Sequence, residues 1–75
     1  MTEGTLKLDA LIRRYLQLPA ATRLLDDTPV KTLGAANWQV VDLGLAVGEE
    51  FGVELTADES LALATVGDWR TLLER

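Results

Sequence analysis

Covalent chemistry in this chain would have to come from a short set of side chains. There is no cysteine and no histidine, one serine (Ser60), one tyrosine (Tyr15), eight threonines and twelve carboxylates. Without cysteine there are no disulfides and no thiolate nucleophiles, and without histidine no imidazole acid–base catalysis. Losing both removes the usual zinc ligands. A hydroxyl is a weak nucleophile until a neighbouring base takes its proton. No nucleophile–base pair and no metal cluster can be assembled from these residues, so the chain is expected not to be an enzyme and to have neither catalytic nor metal-binding residues.

The elements that must position any binding site are bounded by size. Seventy-five residues, 48% hydrophobic and 25% charged, predict one small soluble domain over 1–75. A domain this short buries only about 60–65% of its unfolded surface, so its stability is marginal. The longest apolar run is a few residues and no charged-then-apolar leader opens the chain. Neither a transmembrane span nor a cleaved signal is expected, and a cytoplasmic location is. Seven Lys and Arg against twelve Asp and Glu give a net charge of −5. That argues against nucleic acid and an anionic membrane surface as partners, and for a protein partner with a basic docking patch; membrane insertion is not expected either, for want of an apolar run.

The charge is uneven. Up to Lys31 there are five basic and four acidic residues. From Thr32 to Trp69 there are seven acids (Asp42, Glu49, Glu50, Glu54, Asp58, Glu59, Asp68) and no Lys or Arg. This stretch is either an ordinary solvated surface or an acidic docking face.

Periodicity predicts helices almost throughout. Leu8, Leu11, Ile12, Tyr15 and Leu16 recur at three and four residues, an apolar stripe on a first helix that Pro19 ends. Pro19 to Ala36 reads as a long irregular connection pinned by Leu24, Leu25, Val30 and Leu33, with one helical turn expected near Ala21 to Leu25. A second helix is expected from Asn37 to Phe51, ended by Gly52. It carries two stripes. Val40, Leu43, Val47 and Phe51 are the natural core face, while Trp38, Val41 and Leu45 are either further core or an exposed patch. Thr56-Ala57-Asp58-Glu59 has capping-box spacing and opens a short helix carrying Leu61 and Leu63. Thr65-Val66-Gly67-Asp68 opens a last helix with Val66, Trp69, Leu72 and Leu73 inward. The predicted fold is all-α: a small four-helix bundle of three main helices and one short one, with a long loop between the first two.

In this order and spacing the residues resemble the acyl carrier proteins. Those proteins have a Leu-Gly-X-Asp-Ser-Leu segment opening helix two, a Val-Val-Glu-Leu-like run, a Glu-Glu-Phe ending and a Thr-Val-x-Asp-like start to the final helix. Here the corresponding residues are Leu33-Gly34-Ala35-Ala36-Asn37-Trp38, Val40-Val41-Asp42-Leu43, Glu49-Glu50-Phe51 and Thr65-Val66-Gly67-Asp68. The resemblance covers essentially the whole chain. It implies an acyl-carrier-like bundle working in fatty-acid, lipid or polyketide biosynthesis.

The chain departs from the pattern where the family carries its chemistry. In the family a serine hydroxyl is joined to 4′-phosphopantetheine, whose thiol holds the acyl group. By the match, Asn37 replaces that serine, Ala36 the preceding aspartate and Trp38 the following leucine. A carboxamide nitrogen is delocalised into its carbonyl and cannot replace an activated hydroxyl. No cofactor is therefore expected, the phosphopantetheine attachment being lost. Glu59-Ser60-Leu61 imitates the acceptor triplet, but only fifteen residues follow it. Asn37 itself is expected to cap the second helix through Gln39 or Val40, or else to hydrogen-bond a partner.

The resemblance also implies that the outer face of helix two meets partners. The positions concerned are Ala36, Asn37, Trp38, Val41, Asp42, Leu45, Glu49 and Glu50. Gly44 and Gly48 lie inside this helix on a strip with Asn37 and Val41. They mark either a slack helix or the close approach of another backbone, from a partner or a second copy. The function expected is that of a non-catalytic pseudo-carrier docking on a carrier-recognising enzyme, as a monomer or weak dimer. The alternatives are a module binding a free acyl chain noncovalently, and a true carrier whose serine was replaced in the laboratory. Ala36 and Trp38 argue against the last, since one inactivating change would leave the flanking residues intact.

Overall fold

The computed structural model describes residues 3–73; Glu74 and Arg75, which close the sequence, lie outside them. Four α-helices follow in order: α1 (Glu3–Tyr15), α2 (Asn37–Phe51), α3 (Ala57–Ala62) and α4 (Val66–Leu72). A 3-10 turn, Val30–Leu33, lies in the connection between the first two. It is the only helical turn there among the described residues. The turn expected near Ala21 to Leu25 is absent, since the chain makes only a tight turn in which Thr22 N–H donates to the Pro19 carbonyl.

The apolar stripe of α1 meets that of α2. Leu8, Ile12 and Leu16 are buried with Val40, Leu43 and Val47, and Val66, Trp69 and Leu72 of α4 close the core from the other side. Leu24 and Val30 pin the long connection to this core as expected, and Leu33 is half-buried against it. Leu25 does not join them: it is 52% exposed, because the turn that would have carried it inward does not form. The Trp69 indole is fully buried, yet its Nε1 finds no hydrogen-bond partner among the described residues.

The ends of α1 and α2 are solved differently. At α2 the left-handed position after the helix is Gly52 (φ 69°), where no Cβ is strained. At α1 the same position is Gln17 (φ 55°), a residue for which it is unfavourable by roughly 1 kcal/mol. What holds it is a pair of closing bonds, Leu18 N–H to the Arg13 carbonyl (2.8 Å) and Gln17 N–H to the Arg14 carbonyl (3.3 Å).

The long connection is fastened by polar contacts. Arg70 of α4 reaches across to α1, with Nη2 2.8 Å from Asp9 Oδ2 and Nε 3.3 Å from Asp9 Oδ1. The same guanidinium donates to the Leu24 carbonyl (2.7 Å) and to Asp26. Asp9 is only 4% exposed. Its hydrogen bond raises the Arg70 pKa above the ordinary value, against the opposing effect of burial, so the guanidinium stays charged throughout the pH range of a folded protein. Further on, Gly67 N–H donates to the Asp26 carbonyl, Val66 N–H to Thr28 and Val30 N–H to Ala64. The connection is thereby zipped to the α3–α4 junction.

Gly44 and Gly48 are accounted for by the chain itself. A Cβ on Gly44 would stand 3.0 Å from Ser60 Cβ and closer still to its Oγ, and one on Gly48 would stand 2.7 Å from the Val53 carbonyl oxygen. Neither of the two readings drawn from the sequence, a slack helix or the backbone of a partner or second copy, accounts for them: the Ser60 side chain of α3 fills the space at Gly44 and the Val53 carbonyl of the preceding loop that at Gly48.

Three outcomes follow for stability in urea. Gly48→Ala should gain about 1 kcal/mol of helix propensity but lose more by driving a methyl into a backbone carbonyl, for a net loss of roughly 1–2 kcal/mol. Arg70→Met leaves Asp9 charged and unpaired in the interior and should cost about 3–5 kcal/mol. By contrast Lys7→Ala, which breaks the exposed 3.8 Å pair with Glu3, should change the unfolding free energy by less than about 0.5 kcal/mol.

Candidate functional site

The opening of α2 is built by the residues just before it. The 3-10 turn ends at Gly34 (φ 77°), and Ala36 takes the extended conformation of a helix N-cap with φ −78° and ψ 156°. Alanine has no side-chain acceptor, so only half of a capping box forms: Gln39 Oε1 accepts the Ala36 N–H at 2.8 Å. Asn37 is the first helical residue and not the cap expected from its type. Its backbone is already helical, and its carboxamide makes no hydrogen bond among the described residues. The backbone carbonyl of Ala36 accepts from Gln39 and Val40 instead.

Ala36, Asn37 and Trp38 are all exposed, Trp38 at 65%. That value decides the open reading of the second stripe. Trp38 and Leu45 (59% exposed) are surface, and Val41 is half-buried. A fully exposed face remains because the other sides of α2 are spoken for, one by the core and one by α3 packed over Gly44 and Gly48. Asp42 and Glu49 are exposed and fall on the same side as Trp38 and Leu45 by helical spacing. Glu50 stands apart. It lines a hollow with Lys7, Leu11 and Arg14 of α1 and does not join the Trp38 face.

Two features beside α2 were not singled out from the sequence. A groove of about 540 Å³ runs between α2 and the segment before α3, lined by Gly44, Leu45 and Val53 and by the carboxyl-bearing Glu49, Glu54 and Glu59. Glu54 and Glu59 belong to the acidic stretch, which was the available signal. A second, more enclosed cavity of about 260 Å³ lies at the opening of α2, lined chiefly by Val30, Lys31, Asn37, Val40, Leu61 and Leu63. No sequence signal marks it, because it forms only where the connection, α2 and α3 converge.

The acids here make no cation site: among the described residues no three His, Cys, Asp or Glu are grouped to hold a metal ion. Among the described residues no helix is long and apolar enough to cross a membrane. The only serine is buried to 1% exposure, with its hydroxyl donating to the Thr56 carbonyl at 3.1 Å. Packed over Gly44, it cannot present that hydroxyl to another protein.

No family model matches the chain. It is similar to the curated "Acyl carrier protein" of Helicobacter acinonychis (strain Sheeba), at 36% identity over 61 residues, covering 81% of this chain and 78% of that one. The chain belongs to the acyl carrier protein family. It is also similar to "Acyl carrier protein 2, chloroplastic" of Arabidopsis thaliana, 31% identical over 68 residues, and to "Acyl carrier protein 1, chloroplastic" of Casuarina glauca, 29% over 69. These cover 91% and 92% of this chain, which spans about half the length of each.

An acyl carrier protein holds its cargo through phosphopantetheine on a serine. The residues present do not fit that group. Ala35, Ala36, Asn37 and Trp38 at the opening of α2 carry no hydroxyl, and the one serine is in the core. Since Asn37 makes no cap, Asn37→Ala should leave thermal stability within about 0.5 kcal/mol of the parent. Thr56→Ala, which removes the hydroxyl bonded to Glu59 N–H at 3.1 Å, should cost about 1 kcal/mol.

Proposed function

We propose that this acyl carrier protein relative is a pseudo-carrier, which docks on a carrier-recognising enzyme of fatty-acid, lipid or polyketide biosynthesis without bearing a phosphopantetheine arm. The single observation that carries this reading is Asn37, exposed and free of structural duties at the start of α2. The order Leu33-Gly34-Ala35-Ala36-Asn37-Trp38 supports reading it as standing where the acceptor serine of the family belongs. Residues 1–75 act on this reading as one carrier-like unit, in the cytoplasm, with no catalysis of their own.

The docking face is the Trp38–Leu45 side of α2, with Asp42 and Glu49 beside it and Ala36, Asn37 and Val41 at its edge. An exposed indole offers large contact area at little entropic loss, the usual character of a binding hot spot. The acids attract a basic partner surface, raise the association rate and lose effect in salt. Glu50, turned toward α1, contributes only to the general field. A second reading is favoured by the cavity beside Asn37, which offers an apolar chain a place without a covalent bond.

Incubating the protein with a promiscuous phosphopantetheinyl transferase and coenzyme A, then reading its intact mass, tests the first reading. The mass should not change; a gain of one prosthetic group would falsify the proposal. With a ketoacyl synthase as partner, Trp38→Ala should weaken binding by tenfold or more, and Asp42→Asn with Glu49→Gln should slow association and flatten its salt dependence. If none of these substitutions changes the binding, α2 is not the docking face.

A further inference from the structure

We propose that α1 carries a second docking face whose occupant is α2 of another copy of this chain, antiparallel to it. Asp42, Leu45 and Glu49 of one copy then meet Arg14, Leu11 and Lys7 of the next. This goes beyond the enzyme docking proposed above and competes with it, because both use the outer face of α2.

The two helices differ in free charge. Of the acids that precede Lys31, Asp9 and Asp26 are taken by Arg70. The outer side of α1 is left cationic. Lys7 has only an exposed 3.8 Å pair with Glu3, and Arg14 makes no ion pair among the described residues. Both are exposed, and they line a hollow of about 240 Å³ with Ala10, Leu11 and Glu50. Glu50 is one carboxylate against two cations, so the hollow stays positive. The outer side of α2 is its opposite. Asp42 and Glu49 are exposed without an ion pair among the described residues, and Leu45 stands in solvent between them.

The spacings match. Lys7 and Arg14 are seven residues apart, as are Asp42 and Glu49, in each case about 10 Å along a helix. Leu11 lies three residues before Arg14, and Leu45 three residues after Asp42. With the helices antiparallel all three pairs coincide, whereas a parallel arrangement sets the leucines one residue out of step. Helices packed close to antiparallel keep such rows in contact over successive turns. Leu45 then has the Lys7–Leu11–Arg14 hollow to enter, and both acids find a cation.

Because the two faces differ, the contact is head-to-tail and leaves an unused face at each end. Two helices meeting over about two turns bury less than the roughly 1,200 Å² of a stable complex. A net charge of −5 on each copy also opposes their approach. The association is therefore weak, with a dissociation constant of roughly 0.1–1 mM.

Sedimentation equilibrium from about 20 μM to about 2 mM brackets that constant, and the weight-average mass should climb above the monomer's. Lys7→Glu with Arg14→Glu should keep the protein monomeric, and so should Asp42→Lys with Glu49→Lys, each checked for its helical circular dichroism. An equimolar mixture of the two variants should associate again, because each offers the charge that the other has lost. Leu45→Ala, which alters no charge, should weaken association about tenfold. A parent that stays monomeric at every concentration would overturn the proposal. So would charge variants that associate like the parent, or a mixture that does not associate. Pelleting of a monomeric parent with phosphatidylserine vesicles would overturn it too, and would assign the α1 face to an anionic lipid surface. A monomeric protein whose Trp38→Ala variant still loses the synthase leaves the proposed function standing.

Discussion

The guanidinium of Arg70 joins stretches of chain that local sequence would never bring together. One planar fork holds the α1 carboxylate Asp9, the Leu24 carbonyl and Asp26 of the long connection. A lysine could supply the charge but not these directions. A buried pair of this kind adds little net stability over a well-packed apolar substitute, but while it is present it ties α1, the connection and α4 together, and losing Arg70 would strand the buried Asp9. Once Asp26 is placed, its carbonyl receives Gly67 N–H, and the bonds from Val66 to Thr28 and from Val30 to Ala64 follow. The 3-10 turn then falls where it delivers Ala36 and Asn37 to the start of α2. The position of the candidate site is thus set from the far side of the molecule.

Helix α2 is constrained on two sides, and the third is left outward. Its Val40–Leu43–Val47 face is core, and its Gly44–Gly48 face receives α3 at a distance no larger residue allows. These glycines lower helix propensity but admit Ser60 and the Val53 carbonyl. Ser60 is the counterpart of that adjustment, a small side chain whose hydroxyl is satisfied by its own helix. The exposed Trp38 and Leu45 are what remains after both packing demands are met. An indole that could have been buried, as Trp69 is, instead stands in solvent next to Asn37.

Most of the scaffold was legible because strong local signals agreed with the tertiary structure. The bounds of α2 follow from its apolar period and Gly52, and the start of α3 from the Thr56–Glu59 spacing, seen as reciprocal bonds. Where long-range contacts decide, local reading fell short. No residue type announces Gln17 as a left-handed helix end, since glycine is the usual marker and the two closing bonds do its work here. Asparagine favours the N-cap by intrinsic preference, yet the cap is Ala36, because the preceding 3-10 turn fixes the register by one residue. Glu50 looked equivalent to Glu49 on charge alone, and only helix rotation against α1 separates them. The cavity beside Asn37 needs three segments at once and has no one-dimensional trace.

The opening of α2 also separates what the fold requires from what it leaves open. A residue that contributes to folding is buried, capped or hydrogen-bonded, and its replacement is resisted by lost stability. Asn37 is none of these: it is exposed, it follows the cap, and its side chain is unbonded. Position 37 therefore imposes almost no folding constraint, and its residue type is free to follow function alone. The fold is secured elsewhere, by the Arg70 fork, by the glycine contacts of α2 with α3 and by the core around Trp69. An acceptor hydroxyl at such a place could be exchanged for a carboxamide with the bundle unchanged. The exposed Trp38, Asp42, Leu45 and Glu49 would be unaffected by such an exchange, since their placement is set by the packing of α2 and not by the side chain at position 37.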